Sequence, residues 1–146
     1  MLIDLKGRLR ESAVRELLAW SVFPDPDRVD EVIETYEREP DLAIAGLEED
    51  GQWIGLIGYR LREGGVLQVL HLAVDPQARG LGYGRGLVLE AIAKEQPKVV
   101  AVETDEENVD FFRNIGFTIE SLGPTPTGAE RFRCVFVTDD AEEADS

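Results

Sequence analysis

The chain has few of the side chains from which metal sites and disulfides are usually built. Among its 146 residues it has one cysteine, Cys134, and one histidine, His71. A single cysteine cannot form an internal disulfide. The two residues together are also too few for a zinc finger, a CxxC redox centre or a multi-histidine metal site. We therefore expect a fold that needs neither a disulfide nor a structural metal.

Basic residues are scarce as well. The chain has 15 Lys and Arg against 30 Asp and Glu, which gives a formal net charge of -15 and a pI near 4.4. A field of this sign repels polyanions, so we expect no nucleic-acid partner. No apolar run approaches the roughly 18 residues of a membrane span, and residues 1–6 lack the layout of a secretion signal. These absences predict a soluble, cytoplasmic protein that does not bind membranes.

The composition is that of one globular domain. Apolar residues make up 43% of the chain and charged residues 31%, which is far from the composition of a disordered chain. A chain of this length forms one core and buries roughly two thirds of its unfolded surface. We predict that the domain spans residues 1–138. The run of acidic residues at 139–146 predicts a mobile tail.

Apolar spacing predicts two amphipathic helices in the first forty residues. Their apolar faces are Val14, Leu17, Leu18 and Ser21 in the first helix and Val29, Val32, Ile33 and Tyr36 in the second. The prolines in residues 23–27 break the first helix, and either Asp25 or Asp27 is expected to cap the second. Pro40 ends the second helix.

After residue 41 the pattern predicts strands. Apolar runs at 42–47, 52–61 and 66–74 are separated by Asp-Gly and Gly-Gly pairs, which are hairpin signals, so they predict an antiparallel meander. The remaining expected elements are a helix that ends near Pro97, a strand at 99–102, a helix at 105–114, and strands at 117–122 and 131–138. Residues 123–128 are expected to be an irregular loop. The predicted fold is α/β (α+β), with a mixed, mostly antiparallel sheet of six or seven strands and about four helices.

The segment at 77–86, Gln-Ala-Arg-Gly-Leu-Gly-Tyr-Gly-Arg-Gly, follows a strand and opens a helix. Small residues let a phosphate approach the main chain, and the N–H groups of a first helical turn donate to it. Arg79 and Arg85 add two cations to an acidic chain. The pattern predicts a pyrophosphate site; the alternative is a glycine-rich turn that only changes the chain direction.

Two common nucleotide-binding loops do not fit this segment. No Lys-Ser or Lys-Thr follows the glycines, which excludes a Walker loop. A Rossmann fingerprint needs a third glycine at the position of Arg85 or Leu87, and it needs a βαβ unit where this sequence predicts hairpins.

Gln77, Gly80 and Gly82 resemble the signature of the GNAT superfamily of acyl-CoA-dependent N-acyltransferases: Gln or Arg, two residues, Gly, one residue, then Gly or Ala. The sequence Phe-Phe-Arg-Asn-Ile-Gly-Phe at 111–117 is similar to a second family pattern, an aromatic pair, three residues and Gly-Phe. The two motifs occur in the family's order, so the chain is identified as a member of this superfamily. The resemblance implies a single GNAT-like domain with a splayed sheet.

The resemblance also implies acetyl-CoA as cosubstrate, with no metal. It would lie between the strand that ends at Val74 and the strand that ends near Val102, with its pantetheine arm bound like an added strand. The implied cofactor-binding residues are Leu72, Ala73, Val74, Gln77, Arg79, Gly80, Leu81, Gly82, Tyr83, Gly84, Arg85, Asn108, Phe111 and Phe112. An amine would attack the thioester directly, so no acyl-enzyme on Cys134 is required.

One position departs from the family pattern. Many members have a tyrosine that protonates the leaving thiolate where this chain has Phe112. General acid catalysis typically contributes roughly 10²–10⁴-fold, although water can also protonate a thiolate whose conjugate acid has a pKa of about 8.5. Tyr83 or Tyr59 are candidate replacements. The departure leaves open a non-catalytic acyl-CoA-binding or regulatory protein, and a protein-interaction domain without a small ligand is a third alternative.

His71 and Glu103 are the two candidates for the base that accepts a proton from the ammonium substrate. His71 lies on the strand beside the implied thioester, and its alternative role is that of a packed or solvent-facing histidine. Glu103 ends the second wall of the implied site, and it is otherwise an ordinary surface or helix-capping acid. Asp105 and Asn108 open the next predicted helix, where capping accounts for at least one of them.

The acceptor is expected to be an amine of a small molecule or a protein. Eight carboxylates stand in residues 25–41 against two arginines, which favours a cationic amine such as a polyamine, an aminoglycoside or a lysine side chain. The alternative is that these residues form a solvated face. Trp20, Trp53 and Phe111 are expected to pack in the core or at its rim; the alternative is that they form platforms for the substrate. A homodimer is common in the family.

Overall fold

The computed structural model describes residues 2–22 and 28–138. This part of the chain has four α-helices and seven strands of one sheet, which confirms the expected mixed α/β fold. The elements are β1 (Ile3–Asp4), α1 (Ser12–Val22), α2 (Arg28–Arg38), β2 (Leu42–Glu49), β3 (Gln52–Arg62), β4 (Val66–Val74), a 3₁₀ turn (Pro76–Ala78), α3 (Tyr83–Glu95), β5 (Val99–Asp105), α4 (Val109–Asn114), β6 (Thr118–Pro124) and β7 (Glu130–Val137). The predicted break and caps at 23–27 and the predicted tail at 139–146 lie outside the described residues.

The strand order in the sheet is β1-β2-β3-β4-β5-β7-β6. Strand β2 pairs antiparallel with β1 and β3, and β7 pairs antiparallel with β5 and β6. The β4–β5 pair is parallel and joins Val66–Val69 to Val99–Val102. The sheet is therefore mixed and mostly antiparallel, as predicted. Strand β1 was not predicted, because two residues are too few to show an alternating pattern.

The described residues form two compact units. The first contains residues 2–22, 28–60 and 70–95, and the second contains 61–69 and 96–138. In the first unit, α1 and α2 bury their apolar faces against β2 and β3, where each fully buried Leu or Ile stabilises the fold by roughly 1.5–3 kcal/mol. Together these faces form a hydrophobic core, whose buried residues are Leu5, Leu9, Val14, Leu17, Leu18, Val29, Ile33, Tyr36, Leu42, Ile44, Leu56 and Ala73. The helical faces predicted from the sequence are the faces that pack.

Two glycines of β3 let helices come close to the sheet. A Cβ on Gly58 would lie 1.9 Å from the Tyr36 hydroxyl of α2, and a Cβ on Gly55 would lie 2.8 Å from Leu87 Cδ1 of α3. Neither distance is compatible with a real side chain. Glycine is therefore required at both positions because a helix lies directly against the strand. Such a close approach is a common reason for glycine within a strand.

In the second unit, α4 begins four residues later than the helix predicted at 105–114. Asp105 is the last residue of β5 and pairs with Arg131 of β7. The Asp105 carboxylate accepts hydrogen bonds from the Asn108 backbone N–H (3.1 Å) and side-chain Nδ2 (3.0 Å), and α4 begins only at Val109. The acidic and polar residues at 105–108 form a turn in which the Asp105 side chain binds the backbone three residues on.

The motif at 111–117 ends α4 in a Schellman arrangement. Gly116 has φ = 104°, its N–H donates to Arg113 O (3.2 Å), and the Phe117 N–H donates to Phe112 O (3.0 Å). The rings of Phe112 and Phe117 meet at 5.4 Å, which is the apolar contact that usually accompanies this cap. The predicted stop at Gly116 is confirmed, and the aromatic pattern around it stabilises the helix end.

The last strands also differ from the prediction. Strand β6 runs on to Pro124, so residues 123 and 124 are not part of the irregular loop predicted at 123–128. The register shifts between Ser121 and Gly123, and Gly123 has a positive φ. A bulge and a position at the edge of the sheet are the conditions under which Gly and Pro are accepted in a strand.

We expect Gly116→Ala to lower the free energy of unfolding by about 1–2 kcal/mol, because an L-residue is strained at this positive φ. An added Cβ would meet only Phe136, at an ordinary 3.8 Å, so the loss would come from the backbone. Urea unfolding measures it. Gly7→Ala is the control, since a Cβ at Gly7 meets no atom and its φ is not positive. Equal losses in the two variants would contradict the prediction.

Candidate functional site

The glycine-rich turn is anchored where it leaves β4. The Asp75 N–H donates to Ile54 O of β3 (2.8 Å), and the Asp75 carboxylate accepts a hydrogen bond from the Gln77 N–H (2.9 Å). The Ala78 N–H then donates to Asp75 O (2.8 Å) and closes the 3₁₀ turn, with Ala78 itself buried. These bonds fix the direction in which the chain enters the glycines.

Gly80 and Gly82 both have a left-handed backbone, with φ of 80° and 89°. A Cβ at either position would meet no atom within 4 Å. Glycine is thus required here by the backbone conformation, while the space beside both residues is open. The turn presents main chain with no side chain over it at these two positions.

Helix α3 begins directly after this turn. Gly86 is the first residue whose N–H bonds back into the helix, to Gly82 O at 2.9 Å. The N–H groups of Tyr83, Gly84 and Arg85 therefore have no acceptor within the helix. Arg79 and Arg85 are both exposed beside them. Free first-turn amides, the positive end of the helix dipole and two guanidinium groups together favour an anionic ligand.

Arg79 is held by a contact that the sequence did not reveal. Its Nε donates to Val74 O at 3.4 Å, and its guanidinium carbon lies 5.6 Å from the ring centroid of Trp20. Trp20 is 43% exposed, so it lies at the rim of the domain and not in its core. A cation–π contact of this kind contributes about 0.5–1 kcal/mol at an exposed site. Trp53 has a similar contact, with the Arg8 guanidinium 5.1 Å from its ring.

The two tyrosines considered as alternative acids both donate to carboxylates. The Tyr83 hydroxyl binds Glu49, which raises the pKa of the phenol. The Tyr59 hydroxyl binds Glu95 at 2.5 Å; burial, followed by this bond, raises the pKa of Tyr59. Tyr59 is fully buried. Each phenol proton is thus already used in a structural hydrogen bond.

His71 is part of a buried polar pair on the first unit. Its Nδ1 lies 2.7 Å from the Tyr36 hydroxyl of α2. Burial, followed by the nearby charge of Arg28, lowers the pKa of His71 to about 4. The imidazole is therefore neutral at pH 7. Leu72 and Val74 follow it as half-buried residues, and Ala73 between them is buried.

Glu103 lies on the exposed side of β5 in the second unit. It stands directly opposite Arg133 of β7, which in turn stands opposite Glu120 of β6. Directly opposed residues of antiparallel strands point to the same side, so the three form one row of alternating charge.

The other residues implied in the second unit surround the start and middle of α4. Asn108 is exposed and donates to Asp105 through both its backbone and its side-chain amide. Phe111 is half-buried, and its ring meets that of Phe112 edge-on at 5.0 Å. Phe112 is only 4% exposed and also contacts Phe117. Its ring is thus a packing element of the helix end.

The acidic residues near α2 are partly neutralised by their neighbours. The ion pairs are Arg15–Asp30, Arg10–Glu37, Arg38–Glu39 and Arg60–Asp41. These pairs involve four of the eight carboxylates, and Asp25 and Asp27 lie outside the described residues. Exposed pairs of this kind contribute little to stability. Their arrangement favours the interpretation as a solvated face.

Among the described residues, no three His, Cys, Asp or Glu side chains are placed so that they could hold a metal ion. No helix within residues 2–22 and 28–138 is long and apolar enough to cross a membrane.

The chain matches the sequence model of a known protein family. The family model described as "Acetyltransferase (GNAT) family" matches residues 11–117. This range includes both the glycine-rich turn and the aromatic motif that ends α4. No curated protein sequence matches the chain.

Solved structures of GNAT proteins have the same fold. A protein described as a "putative acetyltransferase of the GNAT family" from Desulfovibrio desulfuricans superposes with a TM-score of 0.79 at 17% identity, covering 94% of this chain and 98% of that one. An aminoglycoside 6'-N-acetyltransferase complexed with coenzyme A has a TM-score of 0.76 at 16% identity, with 94% and 95% covered. A spermidine/spermine N-acetyltransferase from Vibrio cholerae has a TM-score of 0.70 at 16% identity, with 100% and 99% covered. Identities this low show the shared fold alone.

The lowered pKa of His71 predicts a loss of stability in acid. Between about pH 6.5 and pH 4 the unfolded chain binds a proton at this residue and the folded chain does not, so folding is penalised progressively as the pH falls through this range. We expect the unfolding free energy of the wild type, relative to His71→Gln, to fall by up to about 3 kcal/mol over this range. Urea unfolding at a series of pH values measures it. A difference that does not change with pH would contradict the prediction.

Proposed function

Because the chain belongs to the Acetyltransferase (GNAT) family, we propose that it transfers an acetyl or other short acyl group from acetyl-CoA to an amine. The observation that carries this proposal is the open glycine-rich turn, with left-handed Gly80 and Gly82 leading into the free amides of α3. Exposed arginines beside an anion-binding helix start fit the diphosphate of coenzyme A. The solved structure of the aminoglycoside enzyme with coenzyme A supports the same cosubstrate.

Different residues are proposed to bind different parts of acetyl-CoA. The amides and side chains of residues 77 and 79–85 bind the diphosphate. The main-chain N–H and C=O groups of 72–74 bind the pantetheine arm in the manner of an added strand. By the resemblance to the family, Asn108, Phe111 and Phe112 are proposed to bind the cosubstrate as well.

The proposed reaction is a direct displacement. The ammonium group of the acceptor loses one proton to a base, and its neutral nitrogen then attacks the thioester carbonyl. A C–N bond forms, the C–S bond breaks, the electron pair leaves with the thiolate, and the nitrogen releases its second proton to water. His71 and Glu103 are the two proposed proton acceptors. Glu103 is exposed and stands beside Arg133, whereas His71 is bound to Tyr36. No acyl-enzyme is required, which agrees with the complete burial of Cys134.

The leaving thiolate is proposed to take its proton from water. Phe112 has no proton to give, and the hydroxyls of Tyr59 and Tyr83 are bound to carboxylates. A thiolate with a conjugate-acid pKa of about 8.5 is a tolerable leaving group without an acid. The lack of a donor at residue 112 also supports the alternative function, a protein that binds acyl-CoA without turnover. Release of free thiol in the presence of an amine distinguishes the two.

The proposed acceptor is an amine of a small molecule or a protein side chain. Aminoglycosides and spermidine, the amines in the descriptions of two structural neighbours, are cationic. The strongly negative net charge of this chain favours the approach of such amines through long-range attraction. A screen for thiol release should therefore begin with polyamines and aminoglycosides and include neutral amines for comparison.

We expect Gly82→Glu to weaken acetyl-CoA binding by at least about a hundredfold. The new carboxylate would occupy the open side of the turn and repel the diphosphate, and hydrogen bonds to charged groups contribute roughly 1.5–3 kcal/mol each. Calorimetric titration with acetyl-CoA and with free CoA, at low and moderate salt, measures the change. Gly128→Glu is a matched control, because Gly128 has a similar φ of 92° and the same open surroundings. Equal affinity in the Gly82 variant and the wild type would overturn the diphosphate assignment.

We expect Phe112→Tyr to raise kcat, because it restores the hydroxyl that many family members place here. General acid catalysis typically contributes roughly 10²–10⁴-fold, and since water already supplies part of this, we expect about tenfold or more. Steady-state thiol release measures it. Phe136→Tyr adds the same hydroxyl elsewhere in the aromatic cluster and serves as the control. No gain in a Phe112 variant that still binds acetyl-CoA would show that protonation of the thiolate does not limit turnover.

A further inference from the structure

Tyr36 and His71 form a hydrogen-bonded pair that links α2 to β4. The Tyr36 hydroxyl lies 2.7 Å from His71 Nδ1, and the two rings have centroids 5.5 Å apart at an angle of 59°. Tyr36 is only 1% exposed. Its hydroxyl therefore depends on protein groups for its hydrogen bonds, since a buried donor without a partner is destabilising.

The position of the Tyr36 hydroxyl is set by the backbone of β3. A Cβ at Gly58 would lie 1.9 Å from this oxygen and 2.6 Å from the ring carbon that bears it. The hydroxyl thus occupies the space that any side chain at residue 58 would fill. Glycine at this position gives the phenol room to reach the imidazole, and the pair is built from α2, β3 and β4 together.

This geometry determines where the imidazole proton lies. The buried phenol must donate its proton, and His71 Nδ1 is its hydrogen-bond partner. A neutral imidazole carries one N–H, so if Nδ1 accepts, the hydrogen is on Nε2. In this tautomer the lone pair of Nδ1 accepts the hydrogen bond from Tyr36. Nε2 carries the hydrogen and therefore has no free lone pair in the ring plane. The imidazole can then donate a hydrogen bond, but it cannot accept a proton while the bond to Tyr36 lasts.

The charged groups around the pair favour this neutral form. Arg28 at the start of α2 acts on His71 and opposes a second positive charge there. Arg60 of β3 acts on Tyr36, and its own Nε lies 3.0 Å from the Asp41 carboxylate. Burial outweighs the effect of Arg60 and raises the pKa of Tyr36, so the phenol keeps its proton. Both members of the pair are uncharged at neutral pH.

We infer that Tyr36 is a positioning residue that fixes His71 as the Nε2–H tautomer, so that His71 serves the reaction as a hydrogen-bond donor and not as the base. This inference rests on the proposed acyl transfer for its catalytic part. The tautomer itself depends only on the contacts among Tyr36, Gly58 and His71.

The tautomer can be tested without any substrate. His71 is the only histidine in the chain, so ¹⁵N spectra of the labelled, ligand-free protein report its two ring nitrogens without assignment. We expect the proton on Nε2 in the wild type and a shift of the Nδ1 resonance in Tyr36→Phe, which removes the donor and keeps the ring. A wild-type proton on Nδ1, or unchanged resonances in Tyr36→Phe, would overturn the inference. This result does not depend on whether the protein is an enzyme.

The catalytic part is tested by thiol release with matched variants. His71→Gln keeps an N–H donor near the position of Nε2, whereas His71→Ala removes it. We expect the Gln variant to retain at least about ten times the kcat of the Ala variant. Equal rates in the two His71 variants would overturn the donor role. Absence of turnover in the wild type would contradict the proposed acyl transfer and leave the tautomer result standing.

Discussion

The close packing of two helices onto strand β3 is the constraint on which the first unit depends. Helix α2 reaches the sheet at Gly58 and α3 reaches it at Gly55, and a single added carbon at either glycine would collide with the helix above it. The same contacts hold Tyr36 against His71 and hold α3, whose first turn carries the free amides. The candidate binding and catalytic residues of this unit are therefore mounted on rigid elements, which is what precise chemistry requires.

Much of this fold follows from local patterns. Helices α1, α2 and α3 were predicted because their apolar residues recur at helical spacing, and β2 to β4 because apolar runs are separated by turn residues. The errors lie where pairing with a distant strand decides the outcome. Asp105 is suited to a helix cap, yet it remains in β5 because it pairs with Arg131, and Pro124 remains in β6 because that strand lies at the edge.

The candidate site shows the same division between local and distant information. The turn at 77–85 was recognisable because all of its parts are consecutive in the sequence. The partners of its side chains were not, since Trp20 and Glu49 come from elements far along the chain. The hydrogen bond between Tyr36 and His71 spans 35 positions, and Gly58, which makes room for it, has no local signal that separates it from the other strand glycines.

The way in which α4 ends does not depend on whether residue 112 can donate a proton. Two backbone hydrogen bonds and the ring contact between Phe112 and Phe117 end the helix, and none of them involves the outer end of a phenol. The backbone bonds of the cap are the same whether residue 112 is a phenylalanine or a tyrosine. Under the proposed function, exchange of one ring for the other would add or remove a proton donor without removing those bonds. The aromatic motif in a sequence accordingly indicates how the helix stops, whether or not the protein that carries it is a fast enzyme.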